Sequence, residues 1–514
     1  MRLFIFLLFL SSTAFGQQKP NIIYIMSDDH DADAISAYNK KFISTPGFDR
    51  LAKEGMLFKN AFVGNSICGP ARATLLTGQH SHKNGMKDNR TRFDSSKITM
   101  PMLLQQAGYQ TAIVGKWHLH SYPKGFDYWK ILPGQGLYYD PRMINMNGDT
   151  TVIKGYATEI IENEAINWLN SRDKQKPFLL LLHHKAPHRN FVPRLKWLEV
   201  FSKKYFPEPA TLFADMNKHG KAWQTQKMSI LIDMTLCTDL KVDPSILPQL
   251  SGLIIDSADI RGYHATMNRI PEDDRRKMKE IYSERGNQLV KVWGNDSLVL
   301  KLKYQWYMQD YLACVASIDE NTSGLLDYLD KNDLTKNTMV IYTGDQGMYL
   351  GENGWFDKRW MYEVSMQAPL LIRWPGKIKA GSINSSMVQN IDFAPTMLDV
   401  AGTTVPAWMD GMSMKPILTG KQNALPRKNL YYHYYEYPID HYVLPHLGIR
   451  GERYKLIYFY TVNDWELYDL KTDPAEQKNL IASAAHKVVL QQMKSELLML
   501  RDKYDDHDPA GDLK

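Results

Sequence analysis

The sequence predicts an α/β fold built on a mostly parallel sheet. Its apolar runs are continuous rather than alternating, they take turns with helix-like stretches, and each ends in polar residues. A strand that is apolar throughout is covered on both faces, as parallel strands are. The first such run, residues 21–26, ends at Ser27, Asp28 and Asp29. Residues 111–118 (TAIVGKWH) follow the helix-like PMLLQQAGY. Residues 178–188 (FLLLLHHKAPH) follow a helical stretch over 159–171, and 338–347 (TMVIYTGDQG) follow a helix over about 304–329. Ligands of such sheets lie outside the carboxyl ends of the strands. The polar residues fall there.

Two further sections surround this core. Residues 192–295 are helical in tone and rich in Trp, Met and Lys, which predicts an insertion packed over the α/β domain, shaping one wall of a pocket. From residue 429, short alternating runs (YYHYYEYP, GIRGERYKLIYFY, DWELYDL) precede a helix over about 484–503. They predict a small antiparallel sheet crossed by one helix. The expected organisation is therefore 1–16 as a leader, 17–428 as the α/β domain and 429–514 as the small subdomain.

The leader rests on Arg2, the apolar run from Leu3 to Leu10, and Ala14-Phe15-Gly16 before Gln17. That run is too short to cross a bilayer, and the pattern is a secretory signal peptide. The expectation is an exported protein, periplasmic or secreted, with no stable membrane anchor. At 514 residues the chain exceeds one ordinary core. With 44% apolar and 23% charged residues it is ordinarily globular, and a formal charge of +6, scattered among acids, makes no nucleic-acid surface. Three cysteines in so long an exported chain are not a disulfide scaffold. Cys237 and Cys314 are expected buried and free, with pairing as the alternative.

Candidate chemistry gathers at the strand ends. Asp28 and Asp29 follow one strand, Asp345 and Gln346 another. Singly, each pair reads as turn or cap acids. Together they offer hard oxygen ligands suited to Ca²⁺ rather than Zn²⁺. Lys116 and His118 close the strand over 111–118, Lys185 and His188 the next, and Lys358 and Arg359 sit in ENGWFDKRWMYE. Strand-end histidines suit general acid–base work, and lysines there suit an anionic group. Cys68 lies in SICGPARATLLTG. Alone it reads as a small buried hydrophobe.

Its company reads differently. Cys68, Pro70, Arg72, Thr77 and Gly78 at these offsets, followed by GYQTAIVGKWH, KAPH, TGDQG and the DKR block in order, resemble the type I sulfatases. The resemblance covers nearly the whole chain after the leader and implies an alkaline-phosphatase-like core. It implies that Cys68 is oxidised by a maturation enzyme to formylglycine, whose hydrate is the nucleophile. It further implies Ca²⁺ held by Asp28, Asp29, Asp345, Gln346 and residue 68, with Arg72 stabilising the alkoxide. Lys116 and Lys358 would hold sulfate, His188 would protonate the leaving alcohol, and His118 would take a proton from the second hydroxyl to expel sulfate. Gln346 departs from the family's usual Asn or His, and Asn353 from its usual His.

The sections HHKAPHRNFVP, GENGWFDKRWMYE and YYHYYEYPIDHYVLPHLGIR resemble bacterial enzymes that remove 6-O-sulfate from N-acetylglucosamine in glycosaminoglycans or host glycans. Lys185, Arg359, Glu436 and His446 are the expected substrate contacts, with His441 nearby in a tyrosine-rich run whose rings either stack on a sugar or pack the small sheet. The alternatives are another sugar sulfate (6-O-sulfated galactose or N-acetylgalactosamine), a phosphonate monoester hydrolase or phosphodiesterase of the same superfamily, and a carbohydrate-binding protein whose Cys68 is never matured.

Overall fold

A computed structural model describes residues 19–215, 219–507 and 513. The expected leader lies outside them. Ten strands form the central sheet: β1 Asn21–Asp28, β2 Met56–Phe58, β3 Gln110–Lys116, β4 Tyr128–Leu132, β5 Arg142–Asn145, β6 Thr150–Val152, β7 Phe178–Pro187, β8 Thr338–Gly344, β9 Leu370–Arg373 and β10 Ser382–Asn384. Their order is β10-β2-β9-β8-β1-β7-β3-β4-β5-β6. The centre, from β8 through β1, β7 and β3 to β4, is parallel, while β9, β5 and β6 run antiparallel to their neighbours.

Strand β1 shows why its sequence is apolar throughout. Ile23 and Ile25 face one core and Ile22, Tyr24 and Met26 the other, all at most 2% exposed. The signature segment folds as helix α1, Cys68–Thr77, on the second face, while α2, Ala157–Ser171, packs on the first. Helix α1 ends at Gly78, whose φ of 63° and N–H to the Thr74 carbonyl make a left-handed cap. Strand β3 stops at Lys116, two residues short of the expected end, because His118 takes a φ of 53° and turns the chain out of the sheet.

The stretch over 192–295 contains helices α3, Ser257–Met267, and α4, Glu272–Val292, joined by turns. The following helix α5, Asp296–Lys331, starts two turns earlier than expected because Asn295 caps it, accepting from the Leu298 N–H at 3.2 Å. Buried Arg285 of α4 meets Asp310 of α5 at 2.7 Å, tying the two together. Cys237 and Cys314 are buried and free.

The C-terminal sheet is antiparallel in the order β11 Leu430–Tyr434, β12 His446–Arg450, β13 Tyr454–Phe459, β14 Asp464–Asp469. Helix α6, Lys487–Tyr504, covers one face, meeting Tyr431, Leu447 and Leu467; Tyr432, Tyr434 and Phe459 pack on Trp355 and Trp360 on the other. The tyrosines of β11 therefore pack the sheet. Among the described residues, no helix is long and apolar enough to cross a membrane.

Candidate active site

The carboxyl ends of β1, β3, β7 and β8 converge on the N-terminus of α1. Cys68 opens that helix and is fully buried. Its Sγ lies 3.1 Å from Asp28 Oδ1 and 4.0 Å from Asp29 Oδ1. Burial, and next the Asp28 carboxylate, push the thiol well above the ordinary cysteine range. A reactive cysteine needs the opposite, an electropositive setting that yields thiolate. This setting disfavours a thiolate at residue 68.

One ligand atom from each of Asp28, Asp29, Cys68 and Asp345 fits within a 4.8 Å cluster. Gln346 donates its amide to Asp29 Oδ1, while its carbonyl oxygen is buried with no partner. Three carboxylates packed this closely repel; burial, and then Asp28, push Asp345 up to about 7. Carboxylate oxygens plus an orphaned amide oxygen, without imidazole in the cluster, fit a hard divalent cation such as Ca²⁺. Gln346 departs from the Asn or His that the resemblance leads one to expect, but like Asn it offers a carbonyl oxygen.

Cations clasp the cluster. Arg72 donates from Nη2 to Asp345 at 2.9 Å and from Nη1 to the Lys116 carbonyl at 2.9 Å, locking α1 to β3. Lys116 pairs with Asp28 and Gln135, and Lys358 with Asp29 at 2.6 Å. The His188 Nε2 lies 3.6 Å from Asp29 while Nδ1 meets the Arg189 carbonyl, and one ring nitrogen lies within 4.8 Å of both Cys68 Sγ and an Asp28 oxygen. His118 packs beside Gly69, where an added Cβ would sit 3.4 Å from its carbonyl, and its Nδ1 is buried without a partner. Burial holds both histidines well below the usual imidazole range.

A cleft of about 480 Å³ opens above this floor. Lys185, His188, Lys358 and Arg359 line it, together with residues the sequence did not point to: Asn89, Gln135, Tyr138, Arg189, Asp357 and, from the 192–295 stretch, Thr266 and Arg269. Asp357 and Arg359 have φ of 76° and 91°, a strained arrangement of the kind that collects at binding sites. Their side chains meet at 3.0 Å, and Arg359 also pairs with buried Glu436. His441 Nε2 stands between Arg189 at 3.1 Å and Asp357 at 3.3 Å, and Asp239 grips the Arg189 guanidinium. Asp357 could have been found from its place in the DKR block; Asp239 carries no local signal.

Two of the expected contacts, Glu436 and His446, do not line this cleft. Glu436 is 1% exposed and stands behind Arg359, orienting it and accepting from the Asn89 N–H at 2.9 Å. His446 is not in the cleft. It is fully buried in β12, accepting at Nε2 from the Met361 N–H at 3.1 Å and donating from Nδ1 to the Leu444 carbonyl at 2.7 Å. Both faces of β12 are covered, so no side chain of that strand reaches the cleft floor.

A family model for sulfatases matches residues 20–403. The chain belongs to the sulfatase family. A second model, the C-terminal region of N-sulphoglucosamine sulphohydrolase, matches residues 351–503 of this sulfatase. It is 46% identical over 498 residues to an N-acetylglucosamine-6-O-sulfatase of Bacteroides thetaiotaomicron, covering 96% of this chain and 88% of that one. The N-acetylglucosamine-6-sulfatase of Homo sapiens is 25% identical over 449 residues, 82% of this chain and 68% of the human one. A solved structure in complex with its substrate D-glucosamine-2-N,6-O-disulfate is 45% identical, with a TM-score of 0.91 over 96% of this chain and 100% of that one. The sulfatase is accordingly a sulfuric ester hydrolase with the α/β architecture its sequence predicts.

Proposed function

We propose that this sulfatase removes the 6-O-sulfate of N-acetylglucosamine in glycosaminoglycans or host glycans. The observation that carries this is 46% identity, sustained over 96% of the chain, to an N-acetylglucosamine-6-O-sulfatase. In this proposal the enzyme is exported, on the strength of its leader-like first sixteen residues, and residue 68 works as formylglycine made from Cys68 by a maturation enzyme. The support is chemical: a thiol held protonated among carboxylates is a poor nucleophile, yet it occupies the centre of the site. When present, formylglycine hydrate supplies the attacking hydroxyl, and Ca²⁺ at Asp28, Asp29, Asp345 and Gln346 supplies Lewis acidity.

The chain's own residues do the rest. Arg72, fixed at both ends of its guanidinium, holds positive charge beside residue 68 where negative charge develops. Lys116 and Lys358 reach the cluster on different carboxylates, Asp28 and Asp29, and hold sulfate oxygens as point charges. His188, whose Nε2 faces the cluster 3.6 Å from Asp29, delivers a proton from Nε2 to the departing O6. His118, neutral with a free Nδ1, accepts the proton from residue 68 that releases sulfate. Arg359, oriented by Asp357 and Glu436, contacts the sugar hydroxyls.

Sulfate release from a panel of 6-O-sulfated N-acetylglucosamine, N-acetylgalactosamine and galactose tests the proposal, using enzyme matured at residue 68 as judged by mass spectrometry of its tryptic peptide. The first sugar should be turned over at least about tenfold faster in kcat/KM than the others. Preference for either of the others would overturn the substrate assignment.

A further inference from the structure

The cations of the site fall into two groups. Arg72, Lys116, Lys358, Arg359 and Arg189 each have a carboxylate within 4.0 Å: Asp345, Asp28, Asp29, Asp357 and Asp239 respectively. Lys185 and Arg269, which line the same cleft, have none among the described residues. Lys185 is only 5% exposed, and its ammonium has one long contact, 3.5 Å to the Arg189 carbonyl, and the face of Tyr138 at 4.8 Å from the ring centroid. Tyr138 is itself held by its hydroxyl on the His188 carbonyl at 2.7 Å, so the ring cannot swing away. Asp28 and Asp29 act on this buried ammonium only from beyond ion-pair distance, and an ammonium so placed against a cavity is costly unless an anion completes it. Arg269 lies just past the end of α3, on the wall contributed by the 192–295 stretch, and makes no side-chain hydrogen bond or ion pair among the described residues.

We infer that Lys185 and Arg269 form a second anion subsite, which holds a negatively charged group of the substrate other than the sulfate ester being cleaved. This deepens the function proposed above and rests on it. The chemistry fixes the class of ligand as a saccharide with at least two anionic groups. Two sources carry the second charge: an N-sulfate on the same glucosamine, or a carboxylate on the neighbouring uronic acid. Arg269 offers a fork matched to either group, and Lys185 a point charge. Burial brings Lys185 down to about 8, which an anion beside it would reverse.

The test is kcat/KM of the matured enzyme and of Arg269→Gln, Lys185→Met and Lys185→Arg on three ligands. These are 6-O-sulfated N-acetylglucosamine, glucosamine 2-N,6-O-disulfate, and a disaccharide of 6-O-sulfated N-acetylglucosamine linked to a uronic acid. The expected result is a preference of about tenfold or more for one doubly charged ligand over the first. That ratio should fall toward one in Arg269→Gln and Lys185→Met, narrow in 0.5 M salt, and be partly restored in Lys185→Arg. The ligand that shows the preference identifies the source. Equal loss on all three ligands in both uncharged variants, or no preference in the wild type, would overturn the subsite. Failure of the wild type on all three, with turnover of a different sulfated sugar, would instead overturn the substrate assignment. The subsite would then stand or fall on the same ratio measured with that sugar.

Discussion

The floor and the rim of the cleft are built on different principles. The floor gathers Asp28, Lys116, Cys68 and Asp345 from the ends of three parallel strands and the start of one helix, all buried. Its positions are consequences of the sheet: once β8, β1, β7 and β3 are in register, the residues after each strand must meet. The rim gathers Arg189, Asp239, Asp357 and His441 from loops scattered over 250 residues of chain, joined only by their side chains. Positive φ does not follow this division: Asp29 and His118 adopt it at the floor, and Asp357, Arg359 and His441 at the rim. On the proposed function, chemistry is placed on rigid strand ends and choice of alcohol is left to loops that can vary.

Mutation should separate the two ends. The largest effect is expected at the floor. Cys68→Ala should lower kcat by about 10⁴-fold or more, because no other side chain there can replace the lost nucleophile. Thermal denaturation should show little change, since removing one buried sulfur costs far less than a folded core provides. Retained activity would break the assignment of residue 68 as the reacting centre and with it the distinction between floor and rim.

A smaller and different effect is expected at the rim. Glu436→Gln keeps the shape but removes the charge that aims Arg359, so KM should rise by roughly 10–100-fold while kcat falls much less. A drop in kcat as deep as that of Cys68→Ala would mean that the rim takes part in the chemical step. The contrast also explains how far each end is legible in the sequence. Contiguous motifs such as CGPAR and GKWH mark the floor, because strand ends place neighbours in sequence beside neighbours in space. Asp239 has no such neighbours; its partner Arg189 lies 50 residues away, and only the packing of the 192–295 stretch brings them together. Glu436 and His446 come from one aromatic run, and the run does not say which of its residues reach the cleft. Burial decides that, through Trp360 and Phe459 packed over His446.

His446 therefore offers the smallest expected effect on catalysis, and one that reads out on stability instead. His446→Phe should leave kcat/KM within about threefold, because the ring reaches no substrate. It should destabilise the fold by about 1–3 kcal/mol for each backbone group left without a partner, the Met361 N–H and the Leu444 carbonyl. The pH dependence separates this from simple loss of packing. Burial brings the imidazole from 6.5 down to about 3, so the folded state prefers it neutral. Its stabilising contribution is then fully present above pH 6.5 and is lost progressively as pH falls toward 3, where the unfolded chain binds a proton that the folded chain refuses. At pH 5 that loss amounts to about 2 kcal/mol in the wild type. His446→Phe cannot suffer it. The stability gap between the two proteins in urea should accordingly narrow by about that amount between pH 7.5 and pH 5. A gap that stays constant would mean that the ring is protonated or solvated in the fold, and His446 would return to the list of residues able to meet a sugar.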